Sequence, residues 1–198
     1  MTHLTRLIGL TGLIGIVTIS LYYIVRGPFG TLNDVSNGQM AVLTAIWATG
    51  LHARLAADAP RPALAALAAA WLGAAVAVAG SVLVIFGYTG WYLAGLVTAL
   101  GYAFIGLWVF VASRWAARTG AWPRRPAQWG QVLGLLMALG LLALPGILAR
   151  VDGATQAPWW AHLGLAASLS WFGLYPLWCL WLASRPRARR LVSRKVAA

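Results

Sequence analysis

The sequence predicts an all-α integral membrane protein, a bundle of six transmembrane helices with its N- and C-termini in the cytoplasm. Hydrophobic residues make up 61% of the chain and charged residues only 9%, whereas a soluble domain carries about 25% charged residues. Several apolar runs reach the roughly 20 residues that cross a hydrocarbon core. Apolar and polar residues do not alternate as they do in the strands of a membrane β-barrel. The spans are therefore predicted to be helices.

Charged or turn-forming links divide the chain into six apolar segments. The predicted spans cover about residues 7–25, 35–53, 63–86, 91–113, 129–149 and 159–182, and residues 184–198 form a basic tail. From Pro62 to Ser113 no residue carries a formal charge, and this stretch is too long for a single span. The turn-forming residues Gly87 to Gly90 divide it into two spans.

Two links on the predicted cytoplasmic side contain helix-breaking prolines. The link of residues 56–62 holds two prolines that are expected to stop the second span. The link of residues 114–128 is expected to be an interfacial loop or a short surface helix broken at Pro123 and Pro126.

The distribution of basic residues predicts the orientation. If both termini face the cytoplasm, 13 of the 15 Lys and Arg residues lie in cytoplasmic segments, and only Arg26 and Arg150 lie outside. This bias follows the positive-inside rule, which an odd number of spans would violate. The predicted location is the plasma membrane of a bacterial-type cell, its inner membrane, crossed several times.

The net charge of +12 predicts contact with the membrane surface. The basic residues lie at the ends of spans, where they meet anionic lipid headgroups. The expected headgroup contacts are Arg114, Arg118, Arg124, Arg125 and the basic tail. Nucleic acid is not a predicted partner, because a basic patch alone indicates electrostatic attraction and not sequence readout.

The outer link between the first two spans gathers an unusual number of polar residues between Arg26 and Gln39. One interpretation is a turn in which Asn33 or Asp34 caps the second helix. The alternative is a loop that dips into the outer leaflet and lines a polar vestibule, since such backbone is tolerated only in protein or beside water. The candidate ligand-binding residues are Arg26, Asn33, Asp34, Asn37, Gln39, Asp152 and His162.

No catalytic set or cofactor site is predicted. His52 and His162 lie near opposite membrane surfaces and cannot hold the same haem iron. The single cysteine, Cys179, excludes an internal disulfide and a Cys-rich metal site. No lysine lies within a span, and no serine has the context of a nucleophile elbow.

The 12 tryptophans divide into two groups. Eight lie at predicted membrane boundaries, as aromatic belts require. The four deeper ones either pack in the bundle or line a pocket for a lipid-like or ring-bearing ligand. These four are Trp47, Trp71, Trp108 and Trp171.

Small residues at four-residue spacing predict close helix contacts. The third span has two such ridges, Ala66, Ala70 and Ala74 and separately Ala69, Gly73 and Ala77, and the fifth has Gly130, Gly134 and Ala138. The leading functional hypothesis is therefore a structural or accessory subunit that packs against a membrane-protein partner or a second copy of itself. The first alternative is a binder or transporter of a small neutral or lipophilic molecule, using the outer vestibule. The second is an enzyme that acts on a lipid or isoprenoid.

Overall fold

A computed structural model describes residues 2–167 and 170–185. The described residues contain helices and turns and no strand. Six helical segments are long and apolar enough to cross a membrane, which confirms the prediction of an all-helical chain with six such helices. The predicted tail lies outside the described residues from position 186 onward.

The first four spans are single helices. They are α1 (Thr2–Val25), α2 (Phe29–Asp58), α3 (Pro60–Ile85) and α4 (Trp91–Thr119). The last two spans are interrupted. The fifth comprises α5 (Arg124–Ala138), a 3₁₀ segment (Leu139–Ala143) and α6 (Leu144–Leu148). The sixth comprises α7 (Trp159–Ala166), a π-helical turn (Ser170–Leu174) and α8 (Tyr175–Ser184).

The helices pack in chain order from α1 to α5, and α8 returns to pack against α1. The α4 span is the most buried of the six. Thr2, Asp58, Thr119 and Arg185 line one cavity, so the first and last described residues lie at the same end of the bundle. We call this end of the bundle the termini end. We call the opposite end, which contains residues 26–28 and 86–90, the far end.

The small residues are used inside the bundle. A Cβ built on Gly73 of α3 would lie 2.5 Å from the carbonyl oxygen of Gly101 in α4, and one on Gly134 of α5 would lie 2.6 Å from that of Gly106. Ala70 and its ridge neighbours on α3 are also buried. These helices approach closely because their contacting residues have almost no side chain. The predicted ridges thus pack within the chain.

The outer link is shorter than the sequence predicts. Helix α2 begins at Phe29 and continues through Asn33 and Asp34, and no side chain caps its start. Neither a re-entrant loop nor a capping turn by Asn33 or Asp34 is present. A helix satisfies its backbone hydrogen bonds internally. It can therefore continue through polar residues even where its surroundings are apolar.

The two links at the termini end also differ from the prediction. Helix α2 continues to Asp58, and α3 begins two residues later with Pro60 at its first position, where a proline fits. Helix α4 continues to Thr119 and ends at Gly120, whose φ of 69° is left-handed. Pro126 lies in the first turn of α5 and does not break it. The expected interfacial loop is reduced to residues 120–123.

Candidate functional site

The termini end contains a cavity of about 770 Å³. Its walls come from the first turns of α1, the last turns of α2 and α4, the link of residues 120–123 and the end of α8. The lining includes Trp47, Leu51, Arg54, Asp58, Trp115, Trp122, Leu182 and Arg185. We call this space the termini-end cavity. Its volume lies within the range of small-molecule sites, about 300–1,000 Å³.

Four tryptophans pack together beside the cavity, and two of them, Trp47 and Trp122, line it. The ring of Trp47 lies 4.9 Å from Trp108, 5.7 Å from Trp122 and 6.0 Å from Trp178, centroid to centroid. The rings of Trp122 and Trp178 lie 5.8 Å apart at 68°. We call these four residues the tryptophan cluster. Aromatic pairs in such offset or edge arrangements stabilise a fixed wall.

Local chain geometry brings Trp122 into this cluster. The left-handed Gly120 ends α4, and Pro123 is extended before α5 begins. The short link therefore returns across the end of the bundle, with Trp122 stacked at 26° on Trp47. The indole Nε1 of Trp178 donates to the carbonyl oxygen of Pro126 over 2.8 Å. This hydrogen bond joins α8 to the first turn of α5.

The mouth of the cavity carries three ionisable side chains. The indole Nε1 of Trp115 donates to Asp58 Oδ2 over 2.7 Å, which joins the ends of α4 and α2. Arg54 and Arg185 are exposed, and neither makes an ion pair with any other described residue. The guanidinium carbon of Arg185 lies 5.8 Å from the ring centroid of Trp181. Two guanidinium groups and one carboxylate favour an anionic ligand group at this mouth.

The predicted ligand residues lie elsewhere, and two of them, Asn33 and Asn37, face α1 from α2. Asn33 and Asn37 are buried, and their Oδ1 atoms would lie 3.6 and 3.7 Å from a Cβ at Gly15 of α1. Asn33 Nδ2 donates to Asp34 Oδ1 over 3.3 Å, while Asn33 Oδ1 has no hydrogen-bond partner among the described residues. The side chains of Asn33 and Asn37 fill the α1–α2 contact.

Asp152 and His162 lie together at the beginning of α4. Asp152 accepts hydrogen bonds from the backbone nitrogens of Gly90, at 2.6 Å, and Leu93, at 3.1 Å. His162 Nδ1 lies 3.3 Å from the hydroxyl of Tyr92. Asp152 therefore caps α4 from a distant link, which satisfies two amides that a helix start leaves without partners.

The remaining two predicted residues are isolated. The guanidinium of Arg26 lies 5.5 Å from the ring centroid of Tyr22, and Gln39 is exposed on α2. No described hydrogen bond joins the α2 group to Asp152 or His162. The structure thus places five of the seven predicted residues in two separate groups and leaves the other two alone.

The deeper tryptophans have different surroundings. Trp47 and Trp108 are in the tryptophan cluster, and Trp171 stacks on Tyr102 at 4.3 Å and 4°. Trp71 is exposed and donates to Thr49 Oγ1 over 3.0 Å. Of the four, only Trp47 lines the termini-end cavity.

Sequence reasoning missed most residues of this cavity. It assigned Trp115 and Trp122 to the membrane boundary and gave Asp58 no role. The available signal was Asp58 itself, because it is the only acid among the 13 basic residues of the predicted cytoplasmic segments. In the described part of the chain, no group of three His, Cys, Asp or Glu side chains can hold a metal ion.

Comparisons with known proteins find no family model, no curated protein and no solved structure that matches the chain. The function is therefore argued from the geometry of the bundle.

Proposed function

We propose that this chain is a multi-pass plasma-membrane protein that binds a small amphipathic molecule in the termini-end cavity. The observation that carries this proposal is the cavity of about 770 Å³ with indole walls and with two arginines, neither of which forms an ion pair with another described residue. Ligand sites are typically concave and mostly apolar, with a few polar groups that orient the ligand.

The lining defines the chemistry of the ligand. Trp47, Trp115 and Trp122 offer ring faces and edges, which suit a ring-bearing apolar body. Arg54 and Arg185 suit an acidic group at the mouth. Asp58 already accepts the indole hydrogen of Trp115, so its role is to hold the wall. The ligand is a lipophilic, ring-bearing molecule with one acidic group.

The basic charge pattern supports a cytoplasmic position for this cavity. Eight of the 15 Lys and Arg residues lie in described segments at the termini end, and five more belong to the sequence that follows residue 185. Such segments stay in the cytoplasm under the positive-inside rule. The ligand would then reach the cavity from the cytoplasm or from the inner leaflet.

The hypothesis of an accessory subunit stays an alternative. One of its supports was the set of small-residue ridges that would pack against partner helices. Gly73 and Gly134 instead contact Gly101 and Gly106 of the same chain. A protein partner is therefore treated as an outcome of the experiment below.

Native mass spectrometry of the gently extracted protein tests the proposal. We expect a retained small molecule on the wild-type chain and its loss from Trp122→Ala. Trp159→Ala is the matched control, because Trp159 is 73% exposed at the far end and outside the cavity. Size-exclusion chromatography of each variant checks that the bundle still folds.

Two results would overturn the proposal. One is a stoichiometric protein partner with no small molecule, which would make the chain a subunit. The other is equal retention of the same small molecule by Trp122→Ala and Trp159→Ala, which would locate it elsewhere.

A further inference from the structure

A second, narrower space lies on the outer surface of the bundle between α5 and α8. This groove has a volume of about 250 Å³, and its eight lining residues are leucine, valine or tryptophan. It is too small for a helix, whose diameter with side chains is about 10–12 Å. Its apolar lining suits one hydrocarbon chain.

The α5 wall of the groove ends in an arginine. The lining residues Trp129, Val132, Leu133 and Leu136 follow the spacing of one helix face. Arg125 precedes Trp129 by four residues on the same face and is exposed at the termini end. The apolar stripe is about 10 Å long at 1.5 Å per residue.

The α8 wall has the same arrangement. Its lining residues are Leu174, Leu177, Trp178 and Trp181. Arg185 follows Trp181 by four residues, and its guanidinium carbon lies 5.8 Å from the Trp181 ring centroid. Both walls therefore carry an arginine at the termini end, and neither arginine makes an ion pair among the described residues.

The groove is preformed. Trp178 is buried and donates its indole hydrogen to the carbonyl oxygen of Pro126 over 2.8 Å. This bond holds α5 and α8 at a fixed separation along the floor of the groove. When a site needs no rearrangement, less of the binding free energy of its ligand is spent on ordering the site.

We propose that this groove binds one anionic phospholipid, with an acyl chain along the apolar walls and the phosphate between Arg125 and Arg185. The charge of the two arginines selects an anionic headgroup, and the apolar walls select a chain over a soluble anion. Arg185 lines the termini-end cavity and lies over Trp181 of the groove wall, so it is shared by the two proposals. Trp122→Ala changes the lining of the cavity alone and Val132→Trp changes the lining of the groove alone, so the failure of one proposal can be told from the failure of the other.

Lipid titration of the full-length chain in detergent, followed by native mass spectrometry, tests this site. The probes are dioleoylphosphatidylglycerol and dioleoylphosphatidylcholine, which share their acyl chains and differ in headgroup charge. We expect the first phosphatidylglycerol to bind roughly tenfold to thirtyfold more tightly than phosphatidylcholine, from two arginine contacts.

Two variants separate the site from general surface charge. Arg125→Gln/Arg185→Gln is expected to reduce the preference for phosphatidylglycerol to near that of phosphatidylcholine. Arg114→Gln/Arg118→Gln removes the same charge from exposed positions of α4 at the same end and is expected to keep the preference. Equal loss in both double variants would show diffuse attraction and overturn the proposal.

A third variant tests the acyl chain. Val132 is 48% exposed, so Val132→Trp fills the groove without disturbing the core. We expect weaker binding of both lipids with no change in charge. Unchanged lipid binding by Val132→Trp would overturn the proposal. A dimer of the wild-type chain that Val132→Trp dissociates would also overturn it, because a second copy of the chain would then occupy the groove.

Discussion

Trp115 and Asp58, which lie 57 residues apart in the sequence, join the ends of α4 and α2 through an indole hydrogen bond of 2.7 Å. This contact forms the edge of the termini-end cavity. It also explains why an acid is present among so many basic residues, since the carboxylate is used as an acceptor for the cavity wall.

Replacement of Asp58 separates its two roles, charge and hydrogen-bond acceptor. Asp58→Ala removes the acceptor of Trp115, and we expect weaker ligand retention with a stability loss of no more than about 1 kcal/mol, because water replaces an exposed acceptor. Asp58→Asn keeps an acceptor oxygen and removes a negative charge, so it is expected to retain an anionic ligand at least as well as the wild type. Thermal unfolding and native mass spectrometry measure both effects. Equal retention by the two variants would contradict the assigned role.

Two glycines are predicted to respond differently to alanine, because Gly73 lies in the close α3–α4 contact and Gly95 has room for a Cβ. At Gly73 an added Cβ lies 2.5 Å from the carbonyl oxygen of Gly101, and Gly73→Ala is expected to cost about 1–3 kcal/mol. At Gly95 the nearest atom is Leu165 Cδ1 at 3.4 Å, so Gly95→Ala is expected to be neutral or slightly stabilising. Unfolding temperatures in one detergent compare them. If the two variants unfold at the same temperature, α3 does not approach α4 closely at Gly73.

Asp152 is predicted to stabilise the first turn of α4. Asp152→Ala leaves the amides of Gly90 and Leu93 without their acceptor, and the expected cost is about 0.5–2 kcal/mol. Hydrogen exchange of the peptide that contains both amides should accelerate. Thr155→Ala, at an exposed position of the same link, is the control. A variant with unchanged exchange and lost ligand would instead restore Asp152 as a binding residue.

A buried hydroxyl pair links α2 to α8. Thr44 Oγ1 donates to the Met40 carbonyl oxygen over 2.8 Å, so Tyr175 must donate to Thr44 Oγ1 in their own 2.8 Å contact. A double-mutant cycle with Tyr175→Phe and Thr44→Val is expected to give a coupling near 0.6 kcal/mol, the average for such bonds between membrane helices. Tyr88→Phe, at a ring that is 72% exposed, is the neutral control. A coupling of zero would mean that the hydroxyls do not meet.

Reporter fusions test the orientation. A fluorescent reporter at the C-terminus should be active, and a periplasmic phosphatase should be active in the far-end links, such as residues 150–158, and inactive at the C-terminus. The positive-inside rule is the physical reason. Phosphatase activity at the C-terminus would reverse the topology and the location of the cavity.

The six helical segments could be predicted from the sequence because the preference of apolar side chains for lipid and of charged side chains for water depends on each segment alone. A run of about 20 apolar residues can be recognised without knowledge of its neighbours. The same local reading failed between Arg26 and Gln39, where polar side chains suggested a loop. In the structure Asn33 and Asn37 face Gly15, and the helix continues because the α1 surface accepts them.

The tertiary structure decided which side chains meet. Trp47 and Trp122 lie 75 positions apart, and no pattern near either one shows that their rings stack at 5.7 Å. In a membrane chain, positions that face lipid and positions that face protein are both apolar, so hydropathy does not separate them. The sequence by itself therefore determined the helices and the distribution of charge. Only packing determined the cavity, the groove and the separation of the predicted site into two places.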